Sequence, residues 1–256
     1  MIGAIAGDIV GSRFEGGPAP PAHFALFHPD CRFTDDTVCS LAVAYALMDG
    51  RDFAAALRML VQRHPYRGYG GMFATWAHAE AAPAYGSRGN GAPMRVAAVG
   101  WLAADAADAS ELAAAQAIVS HDHPDAIAAS RAVAGTIFAL RKGGDIGEVR
   151  RWVTEAFGYD LRPKHALRAS GFDISAAGTV PPALAAAFEA DDWEHAVRLA
   201  VGLGGDTDTL ACIAGAVAEA IHGIPADISA QARDHLTDDL RQILDRFETV
   251  VGAGSA

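Results

Sequence analysis

The chain has 256 residues, 51% of them apolar, and a formal net charge of −11. Such an acidic chain lacks the Lys and Arg surface that neutralises phosphates, so nucleic acid is not expected as a partner except as a modified substrate. The length fits one large domain or two small ones. Because no Ser/Pro-rich linker or charge block divides the chain, we expect a single domain over residues 1–256.

The cysteines and the apolar segments indicate the cellular compartment in which the protein is expected. Cys31, Cys39 and Cys212 are odd in number and form no C-x-x-C pair, which argues against a disulfide framework or a zinc ribbon. The apolar residues 1–10 lack a basic flank and contain Asp8, so they do not resemble a signal peptide. The chain contains no run of about 20 apolar residues, which is the length that a membrane-spanning helix needs. We therefore expect a cytoplasmic protein without membrane association, and a monomer.

The first predicted helix carries a stripe of small residues. Gly3, Gly7 and Gly11 recur every four residues, which places them on one helix face against which a second helix could lie closely. Asp8 and Glu15 are seven residues apart, so the same helical spacing predicts that they share a face two turns apart.

Helical spacing continues through the rest of the chain. After a loop at 16–30, residues 34–37 open an apolar helix ending near Asp49 and Gly50, and Asp52 begins a shorter one ending near Pro65. Two glycine-rich loops, 66–71 and 85–91, flank a short helix. Further helices are predicted at 93–104, 110–119, 125–141, 146–157, 181–190, 193–201, 209–222 and 228–250. Because no β-branched runs alternate with these segments, the expected fold is all-α, compact and multi-helical.

Two acidic segments are the strongest chemical signal. Residues 34–37 read Thr-Asp-Asp-Thr and residues 206–209 read Asp-Thr-Asp-Thr, each at the start of an apolar helix. Helix capping is the simpler explanation, because Ser, Thr, Asp and Asn favour that position. Capping needs only one side-chain oxygen, however, and a second carboxylate adds repulsion that a cation relieves. These oxygens suit Mg²⁺ or Mn²⁺, and a pair of such ions indicates a hydrolase.

Five motifs occur in an order that resembles the ADP-ribosylhydrolase family, which includes the dinitrogen-reductase-activating glycohydrolases. The motifs are Gly7-Asp8-x-x-Gly11-x-x-x-Glu15, Thr34-Asp35-Asp36-Thr37, Gly89-Asn90-Gly91-x-x-Met94-Arg95, Ser120-His121 and Gly204-Gly205-Asp206-Thr207-Asp208-Thr209. They cover nearly the whole chain, from residue 3 to about residue 225.

The resemblance implies an all-α fold with two Mg²⁺ or Mn²⁺ ions at the base of an ADP-ribose cleft. The metal ligands that it implies are Thr34, Asp35, Asp36, Asp206, Asp208 and Thr209. Glu15 would lie at the metal centre, either as a ligand or as the general base, and Asp35 and Asp36 would be catalytic. If so, Asp36 and Asp208 must lie close together in space.

The glycine-rich loops would bind the substrate. Simple turns are the alternative explanation, but glycine also lets backbone N–H groups approach a diphosphate. By the resemblance, Gly68, Gly70 and Gly71 would line the cleft, while Ser87, Arg88, Gly89 and Asn90 would contact diphosphate and ribose.

Aromatic and histidine side chains complete the expected site. Tyr69, Phe73 and Tyr85 are candidates to stack on adenine, although an aromatic at helical spacing is more often part of the core. His121 matches the ligand-facing histidine of the family. A surface turn is its alternative, and zinc binding with His123 lacks further nearby ligands.

One position departs from the family pattern. Some arginine-directed members have an Asp, proposed as catalytic, three residues before the Asn that matches Asn90, and here that position is Ser87. The general base is therefore expected to be Glu15, or a metal-activated water assisted by Asp35 or Asp36. The expected substrate is an ADP-ribosylated protein or a small ADP-ribose conjugate. Hydrolysis of free O-acyl or 1″-phosphate derivatives and non-catalytic binding are the alternatives.

Overall fold

The computed structural model describes residues 1–50, 52–168 and 171–253. In these ranges the chain forms fourteen helices, and an isolated bridge joins Gly89 to Ser175. The helices are α1 (Ile2–Gly11), α2 (Asp35–Asp49), α3 (Phe53–Arg63), α4 (Gly71–His78), α5 (Ala97–Leu102), α6 (Ala106–Ile118), α7 (Pro124–Arg141), α8 (Ile146–Phe157), α9 (Pro163–Ala166), α10 (Ala176–Glu189), α11 (Trp193–Val201), α12 (Thr207–His222), α13 (Ala226–Asp234) and α14 (Asp238–Ala253). The predicted all-α fold is confirmed.

Helix α1 lies against α12 along the predicted glycine stripe. A Cβ added to Gly3 would lie 2.5 Å from the backbone oxygen of Gly215, and one added to Gly11 would lie 2.3 Å from that of Thr207. A later residue of α1 therefore contacts an earlier residue of α12, so the two helices are antiparallel. Both helices are buried, so the last turn of α1 lies beside the first turn of α12.

We expect Gly7→Ala to destabilise the protein by about 2 kcal/mol, because a Cβ there would lie 2.1 Å from the backbone oxygen of Ala211. Alanine alone favours a helix over glycine by less than about 1 kcal/mol, which does not offset the overlap. Denaturant unfolding measures the change. The matched control is Gly252→Ala in α14, where an added Cβ has no neighbour within 4 Å. Equal stabilities of the two variants would contradict close α1–α12 packing.

Several predicted helices have different bounds in the structure, among them the one predicted at 110–119, which is α6 and begins at Ala106. The prediction that a helix begins at Pro181 is wrong, because α10 begins at Ala176, where the Ser175 hydroxyl accepts a hydrogen bond from the Gly178 N–H. The single helix predicted at 228–250 is two helices. Helix α13 packs on α1 and α14 packs on α2, and one straight helix could not cover both.

The predicted helix 93–104 is also shorter, because α5 begins only at Ala97 and residues 90–95 form turns. The Met94 N–H donates to the Asn90 oxygen within these turns. Helices α7, α8, α11 and α12 agree with the prediction to within two residues. Met94 and Arg95, which were predicted to lie in a helix, thus belong to the wall of the cleft.

The buried apolar residues form one core with α12 near its centre. Helix α12 contacts α1, α2, α7, α10 and α11. Within the described ranges no helix combines the length and the apolarity that crossing a bilayer requires. Because the starts of α2 and α12 and the end of α1 meet beside this core, their polar residues face one another.

Candidate active site

A cleft with a volume of about 550 Å³ opens where these helix ends meet the two glycine-rich loops. The starts of α2 and α12 form its acidic end. Most residues of 68–73 and several of 85–95 form its walls, together with His121, Phe172 and Ile174. This volume is within the usual range for the binding site of a small molecule.

The acidic end contains two groups of three carboxylates that share Asp208. Carboxylate oxygens of Asp8, Asp36 and Asp208 lie within 4.8 Å of one another, and so do those of Glu15, Asp206 and Asp208. The expected proximity of Asp36 and Asp208, which are far apart in the chain, is therefore confirmed. A shared carboxylate between two groups is an arrangement that can hold two neighbouring cations.

Asp8 belongs to this acidic group, although it is not among the predicted site residues. It is fully buried, and its carboxylate accepts hydrogen bonds from the N–H and hydroxyl groups of both Thr34 and Thr37. These N–H groups belong to the start of α2 and have no intrahelical partner. Asp8 thus joins α1 to the start of α2. Its place beside Gly7 in the first motif was the signal for it.

Capping does not account for most of the carboxylates. The Thr34 side chain caps α2 by accepting from the Asp36 N–H, whereas Asp206 occupies the cap position of α12 without a side-chain capping bond. Asp36 Oδ1 is buried and has no hydrogen-bond partner among the described residues. A buried carboxylate oxygen without a donor is costly unless a proton or a cation neutralises it.

The crowding of these acids raises their pKa values. Burial, and then the charge of Asp8, raise the pKa of Asp35 to about 8. Burial, followed by the charges of Asp8 and Asp35, raises that of Asp36 well above its usual range. The pKa of Asp208 is raised by burial and then by Asp36 and Asp206. The folded chain therefore favours binding protons or cations at this end of the cleft.

Glu15 reaches the acidic end from a turn rather than from a helix. The prediction that it shares a face of the first helix with Asp8 is wrong, because α1 ends at Gly11. The turn is held by the Gly16 N–H, which donates to the Gly205 oxygen just before α12. Burial, and then the charge of Asp206, raise the pKa of Glu15. Glu15 is exposed, so it is the acid of this group that solvent reaches most readily.

The two threonines assigned as ligands are both buried at the acidic end. Thr209 Oγ1 lies 3.4 Å from Asp36 Oδ2, and Thr209 lines the cleft. The Thr34 hydroxyl donates to Asp8 Oδ1 at 2.7 Å and accepts from the Asp36 N–H, which leaves it one lone pair. A ligand role for each stays a prediction.

The glycine-rich loops line the cleft as expected, with one exception. Gly68, Gly70 and Gly71 form part of one wall, and Ser87, Gly89 and Asn90 part of another. Helix α4 begins at Gly71 without a side-chain cap, so its first N–H groups are available to an anion. The Arg88 side chain is instead 67% exposed and lies 3.5 Å from Asp125 Oδ2, outside the cleft lining.

Asn90 connects the substrate wall to the acidic end. Its Nδ2 donates to Asp206 Oδ2 at 2.5 Å and to Thr179 Oγ1 at 3.0 Å. Asn90 is buried, and its own N–H donates to the backbone oxygen of Ile174. These bonds orient the Asp206 carboxylate.

Aromatic side chains form another part of the cleft lining. The rings of Phe73 and Tyr85 lie 6.0 Å and 5.8 Å from that of His121, measured between centroids, and all three residues line the cleft. Tyr69 lies outside the lining, and its hydroxyl donates to the His64 backbone oxygen. His123 caps α7 by accepting from the Asp125 N–H. Of the two histidines, His121 is thus the one in the cleft.

Comparison with known proteins agrees with this geometry. The model of the ADP-ribosylglycohydrolase family matches residues 1–255. The chain is 25% identical to ADP-ribosylhydrolase ARH3 of Danio rerio, over 96% of this chain and 89% of that protein. A solved structure titled "ADP-ribosylglycohydrolase-related protein complex" is similar to it in fold, with a TM-score of 0.70, 24% identity and 94% of each chain covered.

Proposed function

Because the chain belongs to the ADP-ribosylglycohydrolase family and is an ADP-ribosylhydrolase, we propose that it cleaves the glycosidic bond at C1″ of ADP-ribose in a metal-dependent reaction. The proposed substrate is a protein side chain modified with ADP-ribose, and the product is free ADP-ribose. One observation carries the proposal: carboxylates from both halves of the chain converge in a cleft that is also lined by aromatic residues.

We propose that two divalent cations, Mg²⁺ or Mn²⁺, bind at the acidic end. Asp36, Asp206 and Asp208 would hold them, with contributions from Glu15, Asp35, Thr34 and Thr209. The partnerless Asp36 Oδ1 and the all-oxygen donor set fit such hard cations. When bound, the cations supply Lewis-acid polarisation of the ribose hydroxyls and of the attacking water.

The side chains at this end have separate tasks in the proposed reaction. Glu15, which solvent reaches, accepts a proton from the attacking water, and its raised pKa suits a general base. Asp35 lines the cleft beside it. The carboxylate charges stabilise the positive charge that develops at C1″ as the bond to the leaving group breaks.

The rest of the cleft would orient the nucleotide part of the substrate. Free N–H groups at the start of α4, with the loop from Ser87 to Asn90, suit the diphosphate. Phe73 and Tyr85 offer aromatic surface to the adenine. In this arrangement the distal ribose and C1″ would lie at the acids and the adenine against the aromatic residues.

Release of ADP-ribose tests the proposal directly. The protein is incubated with arginine- and serine-ADP-ribosylated peptides in Mg²⁺, Mn²⁺ or EDTA, and the products are identified by mass spectrometry. We expect free ADP-ribose and the unmodified peptide with at least one of the cations, and neither with EDTA. Free O-acyl-ADP-ribose and ADP-ribose 1″-phosphate are assayed in parallel.

Each other result would contradict part of the proposal. Full turnover in EDTA would exclude metal dependence. Turnover of only the free derivatives would replace the protein substrate by a small molecule. Tight binding of ADP-ribose without turnover of any substrate would indicate a binding protein.

A further inference from the structure

Arg95 is a buried cation that the proposed reaction does not use. Its side chain is fully buried, and its hydrogen-bond partners are neutral: Nε donates to Gln116 Oε1 at 2.7 Å, and Nη2 donates to the Gln116 backbone oxygen and to Ser120 Oγ. No carboxylate forms an ion pair with it among the described residues. An arginine stays charged even when it is buried, so this charge acts on its surroundings.

The Ser120 hydroxyl transmits this charge to His121. Its oxygen accepts from Arg95 Nη2 at 3.0 Å and lies 2.8 Å from His121 Nδ1. Ser120 Oγ has no other hydrogen-bond partner among the described residues, so its own proton is satisfied only if it points at Nδ1. In that arrangement Nδ1 is an acceptor, and the proton of the neutral imidazole is on Nε2.

Nε2 is the ring nitrogen on the cleft side. A Cβ added to Gly91 would lie 2.8 Å from it, and one added to Gly89 would lie 3.7 Å from it, so the ring packs on the glycine-rich loop. Within the described part of the chain, Nε2 has no hydrogen-bond partner. Burial, and then the Arg95 charge, lower the pKa of His121 from 6.5 to about 3, so the ring is neutral.

We propose that Arg95 and Ser120 are positioning residues that fix His121 as the Nε2–H tautomer, and that this N–H donates to a diphosphate oxygen of the substrate. The inference rests on the proposed function, because the loop that Nε2 faces is the one assigned to the diphosphate. The bonds from Arg95 to Ser120 and from Ser120 to His121 point in one direction, and such chains polarise each donor in turn. The cleft thereby gains a strong donor without a charged histidine.

The tautomer is measured by ¹⁵N NMR of the histidine rings in the unliganded protein. Protonated and unprotonated ring nitrogens have well-separated shifts, and His121→Gln identifies the signals of His121 among those of the ten histidines. We expect an unprotonated Nδ1 and a protonated Nε2. In Ser120→Ala, which removes the donor to Nδ1, we expect a mixture of the two tautomers. A protonated Nδ1 in the unaltered protein would overturn the proposal.

Binding gives the second measurement, by calorimetry with ADP-ribose and with adenosine, which has no diphosphate. If Ser120→Ala divides His121 about equally between the two tautomers, only about half of the protein presents the donor, which predicts a roughly twofold weaker affinity for ADP-ribose and an unchanged affinity for adenosine. The matched control is Ser130→Ala, because Ser130 is a buried serine whose hydroxyl donates to the Ala126 oxygen. This control should change neither the affinity for ADP-ribose nor that for adenosine. Ser120→Thr, which retains the hydroxyl, should restore the ADP-ribose affinity.

The outcomes separate this inference from the proposed function. If Ser120→Ala keeps both the tautomer and the ADP-ribose affinity of the unaltered protein, the positioning role is wrong while the function stands. If the unaltered protein does not bind ADP-ribose, the proposed function fails, and the diphosphate contact fails with it. The tautomer measurement still decides the role of Ser120 in that case.

Discussion

Asp208→Asn is expected to reduce the turnover of an ADP-ribosylated peptide roughly a thousandfold or more and to weaken Mn²⁺ binding. Asp208 belongs to both groups of three carboxylates, so its replacement by a neutral amide removes negative charge from each. The variant should remain folded, because burial, and then the charges of Asp36 and Asp206, disfavour the charged form of Asp208, and a neutral amide avoids that cost. Steady-state kinetics and calorimetric titration with Mn²⁺ measure the two effects.

The reason for expecting a folded variant differs from the one that the sequence suggests. Asparagine is also a good helix cap, but Asp206 rather than Asp208 occupies the cap position of α12. The matched control is Asp105→Asn, because the Asp105 side chain caps α6 by accepting from the Asp108 N–H. Asparagine can make the same bond, so the control should be fully active. An Asp208→Asn variant that kept more than about a tenth of the turnover would exclude Asp208 as a metal ligand.

The metal-free protein is expected to lose about 2 kcal/mol of stability or more between about pH 6.5 and about pH 8. Asp35, whose pKa is raised from 3.8 to about 8, stays protonated in the folded state and ionises in the unfolded state. The folded state then binds more protons than the unfolded state, so the free energy of unfolding falls as the pH rises. Asp36 and Asp208 act in the same direction. The proton retained on Asp35 accounts for about 2 kcal/mol over this range, and protons retained on Asp36 and Asp208 add to the loss.

Urea unfolding in EDTA at the two pH values measures this loss, and the same measurement in excess Mg²⁺ or Mn²⁺ tests its origin. His121 opposes the effect only slightly, because it is neutral in the folded state and about half protonated in the unfolded state at pH 6.5, which is worth about 0.4 kcal/mol. Cations replace the protons, so they should restore stability most at the higher pH. Equal stability of the metal-free protein at both pH values would show that burial and crowding do not raise the pKa values of these carboxyl groups.

Much of the fold follows from patterns within short stretches of sequence. The bounds of α8 and α11 match the helical spacing to the residue, because each begins after an aspartate that caps it and ends at a glycine. The split between α13 and α14 was not predictable in this way. Residues 228–250 have continuous helical spacing, and only packing against two different helices requires the break.

The sequence by itself determined the helical class of the protein and, through its ordered motifs, the acids and loops that meet in the cleft. Those signals are local, since capping, spacing and glycine content act within a few residues. Only the tertiary structure decided that Asp8 holds the start of α2, that Glu15 lies in a turn, and that Arg95 reaches His121 through Ser120. These contacts join residues that are distant in the chain or that lie on different elements, and they exist only after close packing brings the helices together.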